Sequence, residues 1–167
     1  MTSKGGKRRV LFVCLGNICR SPMAEAVFID LAHKRGLLDG LEVDSAGTGH
    51  WHEGDGADPR TVETLRRRGV KITHVARQIK PHVDLHAWDL VIVMDEMNHR
   101  DVVKLGFDRS KVRLMRSFDP SLSQPGAIVP DPYTGTERDF DAVFDMLVPA
   151  CEGLLNELSA GNSGGAE

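Results

Sequence analysis

The sequence predicts an α/β fold: a doubly wound, four-stranded parallel sheet with helices on both faces. Three observations carry this. Four short strand-like runs, at Arg9 to Val13, Leu41 to Ala46, Asp89 to Met94 and Lys111 to Met115, alternate with segments of helical periodicity. The first and third contain unbroken apolar stretches, Val10-Leu11-Phe12-Val13 and Leu90-Val91-Ile92-Val93-Met94, as parallel strands covered on both sides require. A polar loop, Cys14-Leu15-Gly16-Asn17-Ile18-Cys19-Arg20-Ser21, leaves the first strand and enters a helix. In open parallel sheets ligands bind at such strand ends.

The elements follow in order. After the Cys14 loop a helix is expected over 22–35, with Ser21 as its cap and Pro22 at its first position, where a missing N–H costs nothing. Its apolar stripe is Ala24, Val27, Phe28, Leu31 and Ala32, and Gly36 stops it. After the second strand, the glycines of 47–56 predict a loop that holds Trp51 between His50 and His52. Trp51 alone reads as a packing residue. The two histidines read as solvated, because His-x-His without further ligands is a poor metal signal.

Asp58-Pro59 is a cap followed by a first-position proline and opens a helix to about Arg68. Arg66, Arg67 and Arg68 read as its solvated end. Residues 70–80 are expected to be irregular, and Pro81 to His86 to form one short helix. Asp95 caps a helix from Glu96 to Leu105. Residues 116–137, with four prolines, form a loop long enough to suggest function. A last helix over 138–158 carries Phe140, Val143, Phe144, Leu147, Cys151, Leu154, Leu155 and Leu158 on one face. Cys151 reads as a small core residue.

With 167 residues the chain suits one domain, expected over 8–158, with flexible termini at 1–7 and 159–167. A net charge of −3 gives no footprint for nucleic acid. No apolar run reaches membrane-spanning length, so no membrane association is expected. Three cysteines make no disulfide framework, and a reducing, cytoplasmic setting is expected. A monomer is expected, with no cofactor and no metal.

The Cys14 loop is built to hold an anion. Backbone N–H groups at a strand-to-helix junction converge on one cavity, and the helix dipole adds positive charge. This field favours the thiolate of Cys14. Arg20 offers a planar fork to two oxygens of a phosphoryl group, and a thiolate beneath a held phosphate is an in-line nucleophile. Gly16 permits close approach or positive φ, while Asn17 can turn left-handed or tie the loop with its amide. The loop lacks the Gly-Lys-Ser/Thr of nucleotide-binding loops. Cys19 is either a packing residue or the partner of Cys14 in a reversible disulfide.

Taken together, Val13-Cys14-Leu15-Gly16-Asn17-Ile18-Cys19-Arg20-Ser21-Pro22-Met23-Ala24-Glu25 resembles the signature of the low-molecular-weight protein tyrosine phosphatases. Asp44-Ser45-Ala46-Gly47-Thr48, His74-Val75-Ala76-Arg77-Gln78, Met94-Asp95-Glu96 and Asp131-Pro132-Tyr133 extend the likeness over about 8–158. The resemblance implies a flavodoxin-like (phosphotyrosine phosphatase I-like) fold and metal-independent hydrolysis of phosphotyrosine through a phosphocysteine on Cys14. Arg20 and the N–H groups of 15–20, which span Leu15, Gly16, Asn17, Ile18 and Cys19, would hold the phosphate. Asp131 would be the general acid and then the base, and Ser21 would donate to the Cys14 sulfur.

Trp51 and Tyr133 would wall the pocket, and Asn17, Ser45, His74 and Asp95 would support the loop. The partners implied are tyrosine-phosphorylated proteins or peptides, with phosphate and other oxyanions as inhibitors. Related enzymes acting on phosphoarginine tend to carry threonine where this chain has Ile18. Arsenate reductases can share the loop but need further cysteines, and intact Cys14, Arg20 and Asp131 argue against a non-catalytic phosphotyrosine reader. Thr134 stands where the family often has a second tyrosine.

Overall fold

The computed structural model describes residues 6–164. Its sheet is four-stranded and parallel, in the order β2-β1-β3-β4. The strands are β1 (Arg8–Cys14), β2 (Leu41–Gly47), β3 (Leu90–Val93) and β4 (Val112–Leu114). The helices are α1 (Arg20–Lys34), α2 (Pro59–Arg67), α3 (Pro81–Asp84), α4 (Glu96–Lys104) and α5 (Glu137–Gly164). The order in which strands are added reverses at β1, whose neighbours are β2 on one side and β3 on the other. The Cys14 loop therefore leaves the sheet at its switch point.

Side-chain alternation along β1 divides the interior in two. Val10, Phe12 and Cys14 point to one face, where α1 and α5 cover them through Phe28, Phe140, Leu147 and Leu154. Leu11 and Val13 point to the other, against Trp88, Val102, Phe107 and Val112. All four apolar residues of β1 are fully buried. That double burial explains the uninterrupted apolar run.

Several boundaries differ from expectation, and the differences have physical causes. Helix α1 begins at Arg20, with Cys19 as its N-cap and no capping side chain. Ser21 does not cap, because its hydroxyl is turned inward to the Cys14 sulfur. Gly36 ends α1 as expected, at φ 69°, with the Leu37 N–H returning to Ala32. Asp58 and Asp95 cap α2 and α4 as expected, accepting from the N–H groups of Arg60 and Asn98. Arg67 and Arg68 are exposed as expected, but they are not left to solvent alone. They pair with Asp141 and Asp145 of α5, and Arg68 lies 4.6 Å over the Phe144 ring.

The 116–137 loop opens with a 3₁₀ turn over Met115–Phe118. It is pinned at Val129, whose N–H donates to the Met94 carbonyl at the end of β3. Helix α5 continues to Gly164, so 159–164 extends the last helix instead of forming a loose tail. Of the termini expected to be flexible, residues 1–5 and 165–167 lie outside the described residues. Among the described residues no helix is long and apolar enough to cross a membrane.

Candidate active site

The loop from Cys14 to Ser21 wraps a cavity of about 130 Å³. Cys14 and Arg20 are 2% and 3% exposed and form its base. Trp51, His52 and Tyr133 form the rim, and Asp131 faces the base from the long loop. Leu15, Gly16, Ile18 and Cys19 complete the lining. Residues from three distant parts of the sequence thus meet at the end of β1.

Asn17 organises the loop. It is the sole non-glycine residue with positive φ among the described residues, at 57°, a conformation asparagine tolerates better than most residues. Gly16 keeps ordinary φ. Its value is close approach, since a Cβ there would press on the His52 ring at 3.2 Å. The Asn17 side chain is fully buried and satisfied at both ends. Its Oδ1 accepts from the Arg77 N–H at 2.9 Å. Its Nδ2 donates to Ser21 Oγ at 2.8 Å and to Ser45 Oγ at 3.0 Å.

These bonds fix the direction of the next ones. Ser45 accepts from Asn17 and donates to Glu25 Oε1 at 2.7 Å. Ser21 accepts from Asn17, so its proton is free for the Cys14 Sγ 3.0 Å away. The Asn17 N–H also points at that sulfur, at 3.3 Å. Two donors aimed at one sulfur suit a thiolate. Among the described residues, the N–H groups of Gly16, Ile18 and Cys19 donate to no protein acceptor. His74 closes the support, its Nε2–H donating to the Asn17 carbonyl at 2.7 Å. Burial holds His74 below its ordinary pKa, against the pull of that bond.

Arg20 is held from behind. Its Nη1 donates to Asp95 Oδ2 at 2.7 Å and to the Val129 carbonyl at 3.0 Å. Nε and Nη2 remain as a two-donor edge, with Asp131 Oδ2 3.7 Å from Nη2. Burial works against the charge, yet Cys14, Asp95 and Asp131 together raise the Arg20 pKa above its ordinary value. The guanidinium is a permanent cation. Asp95 divides its oxygens: Oδ1 caps α4 and Oδ2 anchors Arg20.

Asp131 is half exposed, with Oδ1 accepting the Tyr133 N–H at 3.1 Å. Arg60 secures this segment by donating to the Tyr133 and Gly135 carbonyls at 2.8 and 3.2 Å. The same guanidinium pairs with Asp58, whose N–H donates to the Ile18 carbonyl. Trp51 is 65% exposed and lies across Gly49, where any Cβ would overlap the indole. Cys14, Cys19 and Cys151 are free thiols, and burial pushes Cys19 up to about 12.

The structure brings together every residue singled out from the sequence for this site: Cys14, Arg20, Ser21, Asp131, Trp51, Tyr133, Asn17, Ser45, His74 and Asp95. Sequence reasoning missed Arg60, Arg77, Val129 and the inward carboxyl of Glu25. It also read His52 as solvated, whereas it lines the pocket and packs on Tyr133, with centroids 6.2 Å apart. The one available signal was Glu25, a charge interrupting the small apolar residues Ala24 and Ala26.

A buried thiol under converging N–H groups and a guanidinium, faced by a carboxyl group, defines the class of cysteine-dependent phosphatases. The chain belongs to the low molecular weight phosphotyrosine protein phosphatase family, whose model matches residues 9–163. It is 46% identical over 154 residues to a low molecular weight protein-tyrosine-phosphatase of Streptomyces coelicolor, covering 88% of this chain and 91% of that one. Its fold is similar to the crystal structure of a protein tyrosine phosphatase from Entamoeba histolytica, with TM-score 0.87 and 35% identity, covering 93% and 99% of the two chains. It is also similar to the structure of a Drosophila arginine phosphatase, with TM-score 0.80 and 32% identity, covering 89% and 96%.

Proposed function

We propose that this protein hydrolyses phosphotyrosine in proteins or peptides through a phosphocysteine formed on Cys14. The observation that supports this most is one cavity with a buried thiol at its base, a carboxyl group across from it and aromatic side chains at its rim. The base binds a phosphoryl group, and the rim suits a flat ring.

In the first step the Cys14 thiolate attacks phosphorus in line. The S–P bond forms as the bond to the phenolic oxygen breaks, and Asp131 gives that oxygen its proton. In the second step Asp131, now a carboxylate, takes a proton from water. The water oxygen attacks phosphorus, the S–P bond breaks and the thiolate returns. Ser21 O–H and Asn17 N–H stabilise that thiolate as leaving group. The Nε and Nη2 edge of Arg20 and the free N–H groups of the loop hold the equatorial oxygens throughout. These donors supply the positive field, so the reading requires no metal.

A deep thiol favours phosphotyrosine over phosphoserine, whose short side chain leaves phosphorus above the sulfur. Ile18 lines the pocket and is 8% exposed. Its apolar surface suits a phenyl ring better than a guanidino group. We assign the protein to a reducing compartment such as the cytoplasm, because the thiolate must stay reduced.

The test is phosphate release, without added metal, from matched phosphotyrosine, phosphoserine and phosphoarginine peptides, for wild type and Cys14→Ser. Release from phosphotyrosine alone, abolished by Cys14→Ser while phosphate still binds, is the expected result. Release from phosphoarginine would overturn the Ile18 argument. Binding without release from any peptide would make the loop a reader of phosphate.

A further inference from the structure

A second cavity adjoins the pocket, and no step above uses it. It is an open groove of about 410 Å³ between the 48–51 loop and the last turn of α4. Leu15 and Trp51 line both cavities, so the indole is a partition with the catalytic pocket on one side and the groove on the other. Thr48 and Gly49 complete the near wall, and Asp101, Lys104 and Leu105 form the far one.

The lining has unused capacity of three kinds. Trp51 and Leu105 are 65% and 40% exposed, two large apolar side chains facing one groove. Such surface, continuous with a binding site, is available for contact with a partner. Lys104 is exposed, and among the described residues the lysines that pair with a carboxylate are Lys34 and Lys80. Thr48 Oγ1 is enclosed with no hydrogen-bond partner, a costly state for a hydroxyl.

Resting on the phosphatase reading above, we propose that this groove is the subsite for polypeptide flanking the phosphotyrosine, and that Lys104 selects an acidic side chain there. A phosphotyrosine seated on Cys14 has its backbone at the rim, and chain leaving over Trp51 enters this groove. The groove is larger than the catalytic pocket and admits more than one side chain. Apolar atoms of the segment lie between Trp51 and Leu105. Lys104 meets the carboxylate. Asp101, half-buried one turn earlier, accepts a backbone N–H of the same segment.

Charge exchange tests this. Phosphotyrosine peptides carry a single Glu or a single Lys within three positions on either side, and a small aryl phosphate serves as the substrate with no flanking chain. Wild type should favour the best Glu peptide over its Lys counterpart by about threefold to tenfold in kcat/KM, mostly through KM. That preference should shrink as salt rises. Lys104→Glu should reverse it and leave aryl phosphate turnover unchanged. Leu105→Ser should weaken every peptide and spare the aryl phosphate. A Lys104→Glu enzyme that turns over aryl phosphate normally with unmoved peptide preference overturns the subsite alone. Absence of turnover of any phosphotyrosine substrate by wild type overturns the phosphatase reading and the subsite with it.

Discussion

Asp131 and Asp95 both precede structural punctuation in the sequence, Asp131 a proline and Asp95 a helix. Their environments separate them. Asp95 spends one oxygen on the α4 cap and the other on Arg20, so it has no oxygen to offer a substrate. Asp131 gives one oxygen to the Tyr133 N–H and turns the other toward the pocket, 3.7 Å from Arg20. A carboxyl group so placed can deliver a proton to a leaving oxygen. Asp131→Asn should lower the rate by roughly 10²–10⁴-fold with phenyl phosphate, the usual worth of a general acid. The loss should be much smaller with a nitrophenyl phosphate, whose leaving group departs without a proton. Equal losses for both would remove Asp131 from the role. Spacing made Cys14 and Arg20 legible, because they share one short loop. Asp131 needed the family likeness, since Asp-Pro is an ordinary turn. Arg60 and Arg77 were hidden because what they hold is remote: Arg60 reaches a carbonyl 73 residues away, and the Arg77 N–H an amide 60 residues away.

At the scale of elements, the loop carrying Asp131 is tied to the phosphate loop by one guanidinium. Arg60, in the first turn of α2, holds the Tyr133 and Gly135 carbonyls with two nitrogens. It also meets both oxygens of Asp58, and Asp58 binds Ile18 through its backbone. The Phe140 ring, 4.4 Å below, supports the guanidinium plane. Arg60→Ala frees the acid loop without touching Cys14. We expect a loss of roughly tenfold to a hundredfold in kcat/KM, as misplaced catalytic groups give. The loss should be larger for phenyl than for nitrophenyl phosphate, a partial copy of Asp131→Asn. Arg60→Lys should not rescue, because a point charge cannot replace the fork. Unchanged leaving-group dependence would show that the clamp does not serve the acid. The strands were readable because burial on both faces forces continuous apolar runs. The start of α1 was not, because tertiary demand took Ser21 from the cap to the sulfur. The end of α5 was misplaced because Gly and Ser in 159–164 argue locally against helix, yet the backbone continues through them.

On the scale of the whole molecule, the two cores meet at β1, and the loop network hangs from the end of that strand. The network ends at Glu25, whose carboxyl accepts from Ser45 and lies 3.9 Å from His74 Nδ1. Burial pushes this carboxyl from 4.5 up to about 7, and the Ser45 bond only partly offsets it. Between pH 4.5 and 7 the native state therefore keeps a proton that the unfolded chain has lost. Stability must fall as pH rises through that window, with a full cost of about 3 kcal/mol above it. His74 has the opposite slope. Its pKa is lowered by burial, so its contribution is lost as pH falls below about 6.5. Glu25→Gln keeps an acceptor for Ser45 and removes only the charge, so comparison with wild type isolates the Glu25 term. Denaturant unfolding at pH 5, 6, 7 and 8 should find the two proteins close at pH 5 and the glutamine variant increasingly more stable above it. A gap that is constant or closes with rising pH would mean that Glu25 is ionised in the native state throughout. The charge would then be stabilised by its neighbours, His74 first among them, and the network would end in an ion pair instead of a shared proton.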